Sequence, residues 1–170
     1  MKKVVVLGCP GSGKSTFSRH LGEAAGLPIV HLDCLFWNED RTTVERSVFL
    51  QRLQKAMEQD RWILDGNYGR TMELRVAACD TVFFLDYPLE VCLQGILDRQ
   101  GKPRPDLPWI ETVGDADAEF LSLIRNYPRE GRRQVLELRE RYPEKTWVIF
   151  RNRTEANKYL TQWNTNVGCC

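Results

Sequence analysis

The feature that most constrains the fold is a glycine-rich octapeptide, Gly8-Cys9-Pro10-Gly11-Ser12-Gly13-Lys14-Ser15. It matches the pattern G-x-x-x-x-G-K-[ST] at every position. A β-branched apolar run at residues 4–7 precedes it, and apolar side chains at helical spacing follow over residues 14–25. A buried strand that passes through a glycine turn directly into a helix is typical of a parallel α/β sheet.

Each residue type in the octapeptide has a physical reason to be in an anion site. Glycines allow successive backbone N–H groups to converge on one phosphate, and the helix that begins near Lys14 adds the positive end of its dipole. We expect Lys14 to reach the β- and γ-phosphates and Ser15 to bind Mg²⁺. The residues predicted to contact the nucleotide are Gly8, Pro10, Gly11, Ser12, Gly13, Lys14, Ser15 and Thr16. The alternative is a glycine turn that matches by accident.

The predicted nucleotide is ATP. A guanine site of the form Asn-Lys-x-Asp is absent from the sequence, because Asn157-Lys158 is followed by Tyr159 and Leu160. ATP with Mg²⁺ is therefore the expected cofactor pair.

The rest of the chain alternates between apolar runs and helical spacing. Further strands are predicted at residues 28–32, 61–64, 81–85 and 147–150, and further helices at residues 71–78, 89–100, 118–141 and 154–163. Thr42 and Glu45 have capping-box spacing, which predicts that another helix begins near Thr42 after a polar loop with Phe36 and Trp37. Pro128 should interrupt or kink the helix that contains it. We expect one domain over residues 1–163, with a five-stranded parallel sheet between two helical layers, and fraying at residues 164–170.

Acidic residues follow three predicted strands at Asp33, Asp65 and Asp86. The carboxyl ends of parallel strands are where α/β proteins bind ligands. Asp65 directly follows a buried strand and is expected to hold Mg²⁺ together with Ser15. Asp33 is a candidate general base toward an acceptor hydroxyl, and Asp86 is better explained as a turn former. The structural alternative for all three is a helix cap or a turn.

Arginines flank a proline-rich connection at residues 101–109, which we expect to be part of a lid over about residues 100–133. Arg99, Arg125 and Arg129 are expected to stabilise the transferred phosphoryl group, and Arg132 to bind the nucleotide. Arg125, Arg129 and Arg132 would share one helical face if the helix continued through Pro128. A solvated basic surface is the alternative.

Bulk composition excludes several classes of protein. Lys and Arg number 24 against 23 Asp and Glu, so the formal charge of +1 argues against nucleic acid as a partner. Six scattered cysteines form no CxxC pair and favour a reducing cytoplasm over a zinc or disulfide scaffold. We expect no membrane span, and a monomer or homodimer whose partners are ATP and a small-molecule acceptor.

The sequence resembles the adenylate kinase-like P-loop kinases, and among them small bacterial proteins labelled DNA topology modulation or flagellar-regulator related. The segments that carry the resemblance are residues 8–16, His31-Leu32-Asp33-Cys34-Leu35-Phe36-Trp37, Asp65-Gly66-Asn67-Tyr68, Leu85-Asp86-Tyr87-Pro88 and Asn126-Tyr127-Pro128-Arg129. The resemblance implies strand order 2-3-1-4-5, a lid between the fourth and fifth strands, and ATP held by the loop and by lid arginines.

The resemblance leaves the acceptor open. Asp65-Gly66 is similar to the opening of the adenylate kinase motif Asp-Gly-Phe-Pro-Arg, whose arginine binds the acceptor phosphate, but here that position is Gly69 and the arginine is Arg70. Leu32-Asp33 is similar to the strand-end aspartate of uridine, shikimate and gluconate kinases, which take hydroxyl acceptors. A kinase acting on a nucleotide, nucleoside or polyol is the implied function. The alternatives are an ATP-dependent regulatory protein and an ATPase without an acceptor.

Overall fold

A computed structural model describes residues 1–102, 106–107 and 118–167. The elements follow in the order β1 (Lys3–Gly8), α1 (Lys14–Ala25), β2 (Ile29–His31), α2 (Leu32–Phe36), α3 (Arg46–Met57), β3 (Trp62–Asp65), α4 (Gly69–Ala78), β4 (Thr81–Leu85), α5 (Leu89–Arg99), α6 (Ala118–Asn126), α7 (Gly131–Arg141), β5 (Thr146–Phe150) and α8 (Arg153–Val167). The predicted alternation of strands and helices is therefore confirmed.

The strands form one parallel sheet in the order β2-β3-β1-β4-β5. Strand β1 is central, with Val5 opposite Leu64 of β3 and opposite Val82 of β4. A strand in this position is covered on both faces, which explains why its apolar residues run without alternation. The predicted fold class and strand order are both confirmed.

Helices cover both faces of the sheet, and successive β1 side chains point to opposite layers. Val4 and Val6 pack with Phe17 and Leu21 of α1, whereas Val5 packs on the other face in a layer that also contains Met72 of α4 and Val135 of α7. The carboxyl ends of the strands remain uncovered by these layers. A ligand site is expected at such an edge of a parallel sheet.

The region after β2 differs from the sequence-based prediction. Residues 32–36 form the short helix α2 instead of a loop, and α3 begins at Arg46 rather than near Thr42. The predicted Thr42 cap is wrong because the Thr42 amide and hydroxyl both donate to the carboxylate of Asp40. Thr43 also bridges to Trp37, which holds this segment in an extended turn.

The chain between α6 and α7 is interrupted at Pro128, as predicted. Helix α6 ends at Asn126 and α7 begins at Gly131, because proline lacks the amide that a continuous helix requires. Across this interruption the Arg132 amide donates to the Tyr127 carbonyl at 2.9 Å. The common face proposed for the three arginines of this region is therefore not formed.

The carboxyl-terminal region is more regular than predicted. Helix α8 continues through residues 164–167, where we expected fraying, and residues 168–170 lie outside the described residues. Most of the proline-rich stretch at residues 101–109 also lies outside them, so the lid stays a prediction. Among the described residues no helix is long and apolar enough to cross a membrane.

Candidate active site

The carboxyl ends of the strands open into a cleft of about 1600 Å³. The glycine-rich loop forms one wall through residues 10–16, and Asp33, Asp65 and Tyr68 lie along the same cleft. Gly8 stands just behind the loop as the last residue of β1. Residues that are far apart in the sequence thereby lie along one cleft.

Glycine occurs at two positions of the loop for different structural reasons. Gly11, at φ +83°, packs so closely on α5 that an added Cβ would overlap the carbonyl oxygen of Cys92, and a Cβ on Gly95 would overlap the Gly11 carbonyl oxygen. Gly13, at φ +91°, has open space around its Cα and lines the cleft. The loop is thus held by a helix on one side and exposed to a ligand on the other.

Lys14 is held inside the loop. Its ammonium donates to the Cys9 carbonyl at 3.1 Å. Burial lowers the pKa of Lys14, while the negative charges of Asp65 and Asp33 act in the opposite direction. The hydroxyl of Ser12 is buried in the same loop and has no hydrogen-bond partner among the described residues. A cation and an unsatisfied donor therefore face the region where phosphate oxygens would lie.

Asp65 ends β3 with 4% exposure and is anchored on one side only. Its Oδ2 lies 2.8 Å from Nδ1 of His31, whereas its Oδ1 is buried without a hydrogen-bond partner in the described structure. Ser15 lines the same cleft. A carboxylate and a hydroxyl oxygen suit Mg²⁺, which takes its remaining ligands from water and phosphate. The unsatisfied Oδ1 fits this assignment, although no group of three metal-ligating side chains occurs within the described ranges.

Asp33 lies in the first turn of α2, one position beyond the expected strand end. Its Oδ1 accepts a hydrogen bond of 2.6 Å from the Tyr68 hydroxyl. Burial raises the pKa of Asp33, the Tyr68 hydrogen bond lowers it, and the nearby charge of Asp65 raises it further. No pattern in the sequence showed that the Tyr68 hydroxyl would reach Asp33.

The sequence patterns also did not indicate that Asn67 contacts the glycine-rich loop. Its amide forms two hydrogen bonds with the backbone of Gly8, accepting from the Gly8 N–H at 3.2 Å and donating to the Gly8 carbonyl at 2.7 Å. The asparagine follows the Asp65-Gly66 pair directly, which was the available signal. It links the end of β3 to the start of the glycine-rich loop.

Arg75 is a further residue that the sequence patterns did not indicate. It is fully buried on α4 and donates to backbone carbonyls of the loop between β3 and α4. Its position among Thr71, Met72 and Val76, which form the buried stripe of that helix, was the signal that a charge lay on an apolar face.

The predicted arginines separate into two groups. Arg99 lines the cleft, with its guanidinium 5.8 Å from the centre of the Phe120 ring. Arg125 and Arg129 are exposed and do not line the cleft in the described structure. Arg132 pairs instead with Asp86 at 2.8 Å. The interruption at Pro128 places Arg125 on α6 and Arg132 on α7, so no single helical face contains both.

Asp86 pairs with two arginines, of which Arg132 is the first. Asp86 also receives the guanidinium of Arg151, so it is a buried ion-pair acceptor rather than only a turn former. Besides Lys14 and Arg99, the arginine and lysine residues that line the cleft are Arg19, Arg41, Lys102, Arg133 and Arg153.

No protein-family model matches the chain. Among curated proteins, the adenylate kinase of Thermotoga maritima is 27% identical over 139 residues, which cover 78% of this chain and 62% of that protein. An adenylate kinase of Thermotoga neapolitana is 26% identical over the same shares. The chain thus spans less than two thirds of the length of these relatives.

Solved structures resemble the whole chain. A shikimate kinase from Acinetobacter baumannii in complex with shikimate gives a TM-score of 0.62 at 18% identity, covering 98% of this chain and 95% of that one. An unliganded sugar kinase from Janibacter gives 0.52 at 16% identity, covering 98% and 92%. The chain therefore has the three-layer α/β fold of the P-loop kinases.

Proposed function

We propose that this protein is a kinase that transfers the γ-phosphoryl group of ATP to a hydroxyl group of a small molecule. One observation carries the proposal: Asp33, oriented by the phenol of Tyr68, shares a cleft with Lys14 of the glycine-rich loop. Phosphoryl transfer requires a group that orients the nucleophile and positive charge over the transferred oxygens. Lys14 supplies the second of these and Asp33 the first.

The environment of Asp33 supports a role as general base. The pKa of Asp33 is raised mainly by burial, which brings it closer to neutral pH than that of an exposed carboxyl. A base works best when its pKa lies near the operating pH. The Tyr68 hydrogen bond occupies Oδ1 and leaves the carboxylate oriented for a second partner.

The nucleotide end would be held by backbone amides of residues 11–16, by Lys14 and by Arg99, which all line the cleft. Ser15 and the free Oδ1 of Asp65 would hold Mg²⁺. When held there, Mg²⁺ would offset part of the negative charge of the phosphates. Lys14 and Arg99 would then stabilise the negative charge that spreads over the equatorial oxygens.

A hydroxyl acceptor is favoured over a nucleoside monophosphate by the positions of two arginines. Arg70 is exposed and does not line the cleft, and the guanidinium of Arg75 is occupied by backbone carbonyls. The adenylate kinases among the relatives and the shikimate and sugar kinases among the structures point to different acceptors. Arg41 and Arg133 also line the cleft, so a phosphate acceptor is one outcome of the test.

The test is coupled ADP release with Mg·ATP, screened over nucleosides, polyols, hydroxy acids and nucleoside monophosphates. We expect a hydroxyl compound to raise turnover well above water, and both Lys14→Ala and Asp33→Asn to remove the increase. Stimulation by nucleoside monophosphates alone would contradict the proposal that the acceptor group is a hydroxyl. Turnover that no acceptor raises, but that Lys14→Ala abolishes, would indicate an ATPase instead.

The regulatory alternative has its own measurement. Binding to duplex DNA that depends on ATP and weakens steeply with salt would support a role resembling DNA topology modulation, despite the net charge of +1. A cytoplasmic location and a monomeric or dimeric state stay predictions.

A further inference from the structure

Arg75 is a buried cation whose hydrogen-bond acceptors, in the described part of the chain, are all backbone carbonyls. Its side chain has 0% exposure, and its Nε donates to the Thr71 carbonyl at 3.3 Å. Burial lowers the pKa of Arg75 to about 9, with the charge of Asp65 acting in the opposite direction. Burying a guanidinium is unfavourable unless its donors are satisfied, so this arrangement calls for an explanation.

The remaining donors of Arg75 contact three consecutive carbonyls in the loop between β3 and α4. Nη1 donates to Gly66 at 2.8 Å, and Nη2 donates to Asn67 and, at 3.4 Å, to Tyr68. Two residues of this loop have left-handed backbone angles, Gly66 at φ +135° and Tyr68 at φ +37°. Such a conformation persists at a non-glycine residue only when its surroundings fix it.

The same loop contacts the proposed nucleotide side of the cleft and the proposed acceptor side. Asn67 forms two hydrogen bonds with the backbone of Gly8, where the glycine-rich loop begins. Tyr68 donates to Asp33, where the acceptor would lie. A shift of residues 66–68 would therefore disturb both contacts at once.

We propose that Arg75 is a positioning residue that fixes residues 66–68, and so holds Gly8 and Asp33 in a constant relative position. Its consequence for catalysis rests on the proposed kinase function, whereas its effect on the loop does not. A planar guanidinium can reach three carbonyls together, but a lysine ammonium is a compact charge that cannot span them. Arginine is therefore required by geometry and not only by charge.

The first experiment uses the nucleotide-free protein with Arg75→Lys and Arg75→Met, and with Val76→Ala as the control. Val76 is equally buried on the same helix and belongs to its apolar core layer. Hydrogen exchange of the Gly8 amide, whose N–H donates to Asn67, reports the nucleotide end. We expect exchange at Gly8 to quicken in the Arg75 variants more than the change in global stability explains, and not in Val76→Ala.

A double-mutant cycle on the unfolding equilibrium reports the acceptor end. Tyr68→Phe should lower the equilibrium constant for folding about tenfold in the unmodified protein, and less than about threefold in Arg75→Lys, because neighbours in one network are coupled. In the Val76→Ala background the full effect should remain. If Arg75→Met does not fold, Arg75→Lys still decides the result.

Nucleotide affinity tests whether the position of residues 66–68 matters for nucleotide binding. Calorimetry with MgADP should show binding about tenfold weaker in Arg75→Lys than in Val76→Ala, which is the size of one lost charge-assisted contact. Gly8 exchange, Tyr68 coupling and MgADP affinity that are the same in Arg75→Lys and Val76→Ala would overturn the positioning role. Failure of the unmodified protein to bind any nucleotide would instead contradict the proposed function, and the first two measurements would still decide the role of Arg75.

Discussion

The hydroxyl of Tyr68 lies 2.6 Å from Oδ1 of Asp33 and joins two segments that are 35 residues apart. Tyr68 caps α4 from a left-handed backbone conformation, and Asp33 lies in the first turn of α2. The Tyr68 ring is packed against Phe36 and Phe49, at 5.1 and 5.0 Å between ring centres. The carboxylate proposed as a base is therefore oriented by a tyrosine that has little freedom to move.

The Tyr68→Phe variant should change the pH dependence of transfer. The Tyr68 hydrogen bond lowers the pKa of Asp33 against the effect of burial, so its loss should raise that pKa. Because the proposed base would act in its ionised form, the rising limb of kcat/KM should move to higher pH by about one unit, the size of one charge-assisted hydrogen bond. Phe49→Leu is the control, since it changes the packing of the Tyr68 ring without removing the hydroxyl. A limb that stays in place in Tyr68→Phe would show that the hydrogen bond does not tune the base.

The Asp33→Asn variant should lose transfer activity and gain relative stability at neutral pH. A carboxyl whose pKa is raised on folding contributes stability below its unfolded pKa and loses it as the pH rises through the folded value. The unfolding free energy of Asp33→Asn, minus that of the unmodified protein, should thus increase between pH 4 and pH 7. Chemical denaturation at both pH values measures it, and transfer should fall by about 100-fold or more.

Asp40→Asn provides a control of opposite sign. The pKa of Asp40 is lowered, chiefly by the hydrogen bonds that it accepts from Thr42. Its contribution to stability is therefore present above the unfolded pKa, and Asp40→Asn should be relatively less stable at pH 7 than at pH 4. The same pH trend in both variants would contradict the conclusion that the pKa of Asp33 is raised by folding.

Gly13→Ala and Gly26→Ala should separate backbone strain from ligand contact. Both glycines have left-handed φ, +91° and +62°, and both have open space where a Cβ would be. Each substitution should lower the unfolding free energy by about 1 kcal/mol. Gly13 lines the cleft, so only Gly13→Ala should also weaken MgATP binding, by about tenfold when a loop amide is displaced. Equal affinities in the two variants would argue against nucleotide binding at this loop.

Arg99→Ala and Arg132→Ala should differ in their effect on turnover. Arg99 lines the cleft, and its removal should lower kcat by about 10-fold to 100-fold if it stabilises the transferred group. Arg132 pairs with Asp86 outside the cleft lining, so its removal should leave kcat within about twofold. Steady-state kinetics with the acceptor found by screening gives both values. A comparable loss in Arg132→Ala would place that side chain at the substrate during turnover.

The fold could be predicted because its local signals agree with each other. Strand β1 is apolar at consecutive positions, α1 begins at the lysine of the glycine-rich loop, and Pro128 marks the break between α6 and α7. The predictions that were wrong also concern local structure. Helix α2 has five residues, too few for a periodic pattern, and the carboxylate of Asp40 competes for the hydroxyl that would have capped a helix at Thr42.

The site was predictable in its composition but not in its connections. The loop, Asp33 and Asp65 reach one cleft because parallel strands end on the same side of a sheet. The partners of these residues come from other segments, such as His31 for Asp65 and Asn67 for Gly8, and no spacing in the sequence encodes them. Which arginines line the cleft depended on how the chain continues after the interruption at Pro128, which a helical pattern does not contain.

The contact between Gly11 and Gly95 limits how this protein can be recombined with its relatives. Each glycine leaves room for the backbone of the other segment, so a side chain at either position would push the loop and α5 apart. A chimera that carries the octapeptide without its own α5 would therefore place a foreign helix surface against the Gly11 carbonyl. The smallest transplantable nucleotide module consists of the loop and α5 together, even though the chain forms three strands of the sheet between them.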